Sequence, residues 1–109
     1  MSHKPREQVK RMQRCAWLLR VREGKEEEYR RAHTAVWPEL IEAARKAGLR
    51  NHSCFLAGRD VIVYAEAEDL ETTFGNLLAT DVKKRWDRAM SSILEEKDSP
   101  SFGEVFHFD

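Results

Sequence analysis

From position 15 the chain alternates. Cys15, Trp17, Leu19 and Val21 interleave with Ala16, Leu18 and Arg20. A period of two predicts a strand, and apolar residues on both of its faces predict that both are covered. Gly24 ends it. Through residues 25–47 the period becomes helical, with Ala32, Val36, Leu40, Ala43 and Ala47 on one stripe at spacings of three and four. Gly48 supplies a left-handed stop. Pro38 interrupts the stripe. A proline inside a helix removes a hydrogen bond and costs about 3 kcal/mol. The helix is therefore expected to kink or restart near Trp37, where a local break can serve a site.

Residues 49–57 read as a second strand with Leu49, Asn51, Ser53 and Phe55 on one side. Gly58-Arg59-Asp60 is a turn, and residues 61–67 form a strongly apolar third strand, so the two make a hairpin. Asp69 can cap a short helix over 70–79, and Thr80 can cap another over 81–94. Val82, Trp86, Met90 and Ile93 or Leu94 share one face of the latter. A loop with Pro100 leads to a last strand over 103–108. Residues 1–13, polar and basic, read as a flexible N-terminal arm. Residues 14–109 read as a single domain.

The order β-α-β-β-α-α-β predicts an α+β fold on the ferredoxin-like, split βαβ plan, with an antiparallel sheet and its second helix broken in two. Helices cover one face of such a sheet. The apolar residues left on the other face predict a partner, most economically a second copy in a symmetric homodimer.

Lys plus Arg number 19 and Asp plus Glu 19, so net charge is zero. That balance excludes the basic footprint of a nucleic-acid binder. No apolar run is long enough to span a bilayer. The N-terminal stretch lacks the apolar segment of a signal peptide. Two cysteines, Cys15 and Cys54, make no disulfide framework or zinc spacing. The expectation is a cytoplasmic protein with reduced thiols and no membrane or nucleic-acid partner.

The densest chemical signal is Tyr29, His33 and Trp37, spaced by four. A continuous helix puts them on one face. Aromatic rings can pack on the apolar face of a sugar, and a histidine between them can move a proton near neutral pH. The same spacing equally fits core packing. The run Thr80-Asp81-Val82-Lys83-Lys84-Arg85-Trp86-Asp87 reads by itself as ordinary helix chemistry. His52 and His107 add two further histidines on expected strands, but no metal-ligand spacing joins them to His33. No metal is expected, and no cofactor, since there is no glycine-rich phosphate loop or nucleophile elbow.

Taken together, Glu28-Tyr29-x-x-x-His33-x-x-x-Trp37-Pro38-Glu39-Leu40, Asn51, Thr80-Asp81-Val82-x-x-Arg85-Trp86 and Glu104-Val105-Phe106 resemble the L-rhamnose mutarotase family, from about residue 14 to residue 108. The resemblance implies a dimeric α/β barrel of ferredoxin-like subunits. It also implies an isomerase that interconverts the anomers of a 6-deoxy monosaccharide, L-rhamnose first, by acid–base ring opening and reclosure. By position it makes His33 the proton donor and Tyr29 a sugar-binding tyrosine. Trp86 matches the first of two sugar-binding tryptophans. His52 stands where the family has a second sugar-binding tyrosine, and Asp87 where it has the second tryptophan. Two of four aromatic binding positions are thus ionisable here, which leaves room for another sugar such as L-fucose. The partner of His33 stays open between Asp87 and His52. Other readings of such a domain are a cofactor-free monooxygenase or dehydratase of the same barrel class, a non-catalytic sugar-binding protein and a ligand-free structural dimer.

Overall fold

The elements follow in the order β1 (Gln13–Arg20), α1 (Glu26–Thr34), α2 (Pro38–Ala47), β2 (Arg50–Ala57), β3 (Asp60–Ala67), α3 (Leu70–Leu78), α4 (Asp81–Met90) and β4 (Ser101–Phe102). They come from a computed structural model that describes residues 11–97 and 99–109. The arm expected over 1–13 lies mostly outside the described residues, and Gln13 already opens β1. The four strands form one antiparallel sheet in the order β2-β3-β1-β4. This is the ferredoxin-like arrangement, with a pair of helices in each crossover.

The break expected near Trp37 is a full restart. Ala35 leaves helical geometry, and Trp37 is extended at φ −56° and ψ 126°. The residue before a proline prefers that region. Pro38 then opens α2 at a position where the missing N–H would have had no intrahelical partner. Gly48 closes α2 at φ +108°.

Cys15, Trp17 and Leu19 of β1 stand opposite Ala65, Val63 and Val61 of β3. Together they form the face that the helices cover. Val61 and Ala65 are fully buried, and Val63 nearly so. Each such valine contributes roughly 1.5–3 kcal/mol relative to exposure. Tyr29 from α1 and Trp86 and Met90 from α4 close over one end of this face. Leu49 and Leu77 close over the other. The opposite face carries Ala16 and Leu18 against Tyr64 and Ile62, and Phe102 beside Ala16. No element of the described chain covers it.

β2 departs from the expected alternation. Arg50 pairs with Glu66 but Ser53 pairs with Tyr64, so one extra residue enters β2 as a bulge. Asn51 sits there at φ +48°. Asparagine is one of the few non-glycine residues that visits this region readily. As a result Leu49 and Phe55, expected on one side, part company. Leu49 is buried under the helices, while Phe55 is 62% exposed on the uncovered face.

Two C-terminal expectations are corrected. The last helix ends at Met90, not at 94. The chain turns there so that Leu94 can bridge to Val21, while the Glu95 N–H donates to the Arg20 carbonyl at 2.8 Å. The last strand is Ser101–Phe102 and not 103–108. It pairs with Ala16 and Trp17, and continuing that register would set Val105 against Gln13, where β1 begins. The ladder runs out of partner, and Val105, Phe106 and Phe108 are left exposed.

Candidate functional site

Tyr29 and His33 lie one turn apart on α1 and their rings stack, with centroids 4.1 Å apart and planes 26° off parallel. Tyr29 is buried at the floor. His33 above it is half-buried. His33 Nδ1 lies 2.9 Å from the Tyr29 carbonyl oxygen. A carbonyl can only accept, so Nδ1 carries the hydrogen and donates it, and Nε2 is left for other partners.

His52 reaches the same space from β2. Its Nδ1 donates to the Tyr64 carbonyl at 3.1 Å, which again leaves Nε2 free. Loss of bulk water holds this imidazole below its ordinary pKa, and the positive charge of Lys83 and of protonated His33 adds to the effect. The Tyr64 carbonyl opposes it. His52 and Cys54 line an open cavity, so water reaches them although protein surrounds them on most sides. Burial raises the Cys54 thiol pKa, and the neighbouring Tyr29 hydroxyl opposes the rise. Tyr29 itself is pushed well above its ordinary value by burial and by Cys54. It is a neutral hydroxyl, not an acid–base group.

Thr80 starts α4 by accepting from the Lys83 N–H at 3.3 Å. The helix then presents Lys83, Trp86 and Asp87 one turn further on. Trp86 meets His33 edge to face at 5.5 Å. Lys83 Nζ and Asp87 Oδ1 form an ion pair at 2.5 Å.

Two adjoining voids of about 270 and about 300 Å³ run between these elements and share His33, Leu49, His52, Cys54, Leu77, Lys83 and Trp86. Ligand clefts start at roughly 300 Å³, so together they are roomy enough for a small molecule. The first void collects all five candidates, Tyr29, His33, His52, Trp86 and Asp87. Trp37 is a correction. Because α1 stops at Thr34, it leaves the Tyr29–His33 face and does not line either void. Instead its ring packs edge-on against Trp86 at 5.1 Å, with the Arg85 guanidinium 5.7 Å above it. His107 lies elsewhere, beside Asp109 and among Arg14, Tyr64 and Glu104. Among the described residues no three His, Cys, Asp or Glu side chains gather as a metal site.

Sequence reasoning passed over Lys83 and Cys54 as site residues. Cys54 is two residues beyond His52 on the same strand, and Lys83 is three before Trp86 on the same helix. Those two periods were the available signals. The arrangement offers two imidazoles with a free Nε2 each, an apolar indole wall and a paired cation. It is suited to moving protons on an uncharged polar molecule.

The profile of one family, L-rhamnose mutarotase, matches residues 14–108. An L-rhamnose mutarotase of Oceanobacillus iheyensis is 30% identical over 105 residues, which cover 90% of this chain and 100% of that protein. Among solved structures, the L-rhamnose mutarotase FA22100 of Formosa agariphila superposes with a TM-score of 0.78 at 20% identity, over 89% of this chain and 99% of that one. A dimeric ferredoxin-like protein from an uncultured marine organism superposes at 0.62 with 13% identity, over 91% and 99%.

Proposed function

This chain belongs to the L-rhamnose mutarotase family, and we propose that the cavity around His33 is where it exchanges the α and β anomers of L-rhamnose. The activity is an isomerisation. A proton reaches the ring oxygen, the C1–O5 bond breaks with its electron pair going to O5, and the anomeric hydroxyl gives up its proton as C1 becomes an aldehyde carbon. Rotation about C1–C2 and the reverse steps close the ring on the other face. No electrons leave or enter.

The observation that carries the assignment is the tether of His33. With Nδ1 committed to the Tyr29 carbonyl, Nε2 is the nitrogen that gives a proton to O5 and takes it back. An imidazole can both give and take a proton near neutral pH, which suits both directions. Trp86 supplies the apolar wall for the sugar's C–H face, Tyr29 the floor, and His52 and Asp87 the polar rim. His33→Ala is expected to lower the exchange rate by about 10²–10⁴-fold, the usual range for a positioned general acid. Saturation-transfer NMR between the two anomeric signals of L-rhamnose measures it, with L-fucose run alongside. Full exchange in a folded His33→Ala protein defeats the assignment.

The same reading includes a homodimer. Phe55 (62% exposed), Ile62 (45%) and Phe102 (51%) stand with Leu18 on the uncovered sheet face. Contiguous apolar surface of this kind marks an association site. Cys15 and Cys54 are unpaired, which suits the reducing cytoplasm.

A further inference from the structure

Ring opening needs two proton carriers, one at each oxygen on C1. Five groups in the cavity carry exchangeable protons near His33: Tyr29, His52, Cys54, Lys83 and Asp87. Their surroundings separate them. The Tyr29 hydroxyl is held protonated by burial and by its neighbour Cys54. The Cys54 thiol is also held protonated by burial. Lys83 and Asp87 neutralise each other at 2.5 Å, and the Asp87 side chain is half exposed at the rim. His52 alone has an unengaged acceptor nitrogen. Its Nδ1–H is tied to the Tyr64 carbonyl as that of His33 is tied to the Tyr29 carbonyl. Two backbone carbonyls, one on a helix and one on a strand, thus hold the two imidazoles of one cavity in the same tautomer.

We propose that His52 is the second catalytic residue of the exchange, its Nε2 taking the proton of the anomeric hydroxyl while His33 delivers one to the ring oxygen. The inference rests on the reading of this cavity as the mutarotation site. The protons balance within the pair. O1–H breaks to His52 as O5–H forms from His33, the C1–O5 electrons pass to O5, and C1=O1 forms. Reclosure returns each proton to its first carrier. The chemistry asks for one proton shared by two imidazoles. The lowered affinity of His52, with Lys83 and His33 facing it from α4 and α1, keeps it the empty member.

The test uses the full chain and L-rhamnose. His52→Asn keeps an N–H for the Tyr64 carbonyl but has nothing at the Nε2 position. His52→Gln places an amide there that cannot accept a proton. The wild-type rate falls as pH drops through the lowered His52 value, because a protonated base is idle, and this acid limb is expected to vanish in both variants. Turnover is expected to drop about a hundredfold with KM changed less than about threefold. Turnover within about twofold of wild type, or a rise in KM alone, overturns the pair. If either variant fails to fold by circular dichroism, the other carries the same expectation. His33→Ala separates the two levels. Exchange retained there removes the cavity reading and the pair with it. Exchange lost there but kept in His52→Asn removes the pair only.

Discussion

At Asn51 the backbone passes through φ +48° while its side-chain amide donates to Glu66 at 2.8 Å. The bulge this makes is what sets Leu49, His52 and Cys54 on one side of β2. A β-branched residue at positive φ is strained by roughly 1–2 kcal/mol, whereas glycine is not. Asn51→Val is therefore expected to lose about that much stability in urea titration and to slow anomer exchange, because His52 follows the backbone. Asn51→Gly is expected to lose less and to keep exchange close to wild type. Equal losses in the two would mean that the φ value is not what holds His52. His33 and Trp86 were legible from helical spacing and the family motif. The resemblance named His52 as a site position too, but the bulge before it and its tie to the Tyr64 carbonyl were not legible, since strict alternation assigns no extra residue to a strand and the tie exists only across the β2–β3 ladder.

Two helix ends help to set this site. Thr80 caps α4 through Oγ1 and also donates to the Leu77 carbonyl at 2.7 Å. It thus joins α3 to the helix that carries Lys83, Trp86 and Asp87. Thr80→Ala is expected to cost about 1 kcal/mol, the usual value of such a cap, read from the urea midpoint. Pro38 gives the contrasting case. If it lay inside one long helix, replacing it with alanine would relieve about 3 kcal/mol. At the first position of α2 its fixed φ is already matched, so Pro38→Ala is expected to change stability by less than about 1 kcal/mol, and downward. A gain of several kcal/mol would show that α1 and α2 are one kinked helix. The stripe, Gly48 and both caps were readable in the chain. The full separation of α1 from α2, which takes Trp37 out of the cavity and sets it behind Trp86, was not.

For the whole molecule, the sheet has one covered and one open face. The open face mixes Phe55, Ile62 and Phe102 with a polar end where Arg14 meets Glu104 at 2.9 Å and the Tyr64 hydroxyl donates to Glu66. The proposed homodimer uses this face, away from the cavity. Phe55→Asp combined with Ile62→Arg is expected to shift the protein from dimer to monomer in sedimentation equilibrium. Helical content should survive, because neither side chain belongs to the buried core. A wild-type monomer at micromolar concentration would remove the dimer from the account.

Periodicity, caps and turn residues are local properties. They were enough to set the order of elements, the α+β plan, the break before Pro38 and the stops at Gly48 and Gly58. With the Tyr-x-x-x-His and Thr-Asp-Val-x-x-Arg-Trp motifs they also placed the chain beside its family. What strands and side chains do to each other across the fold is not local. The register of β2 on β3, the exit of α4 at Met90 and the short β4 depend on partners distant in the chain or on packing between elements. Pairing between strands, which no period along one strand encodes, therefore decided how His52 is held in the cavity it shares with His33.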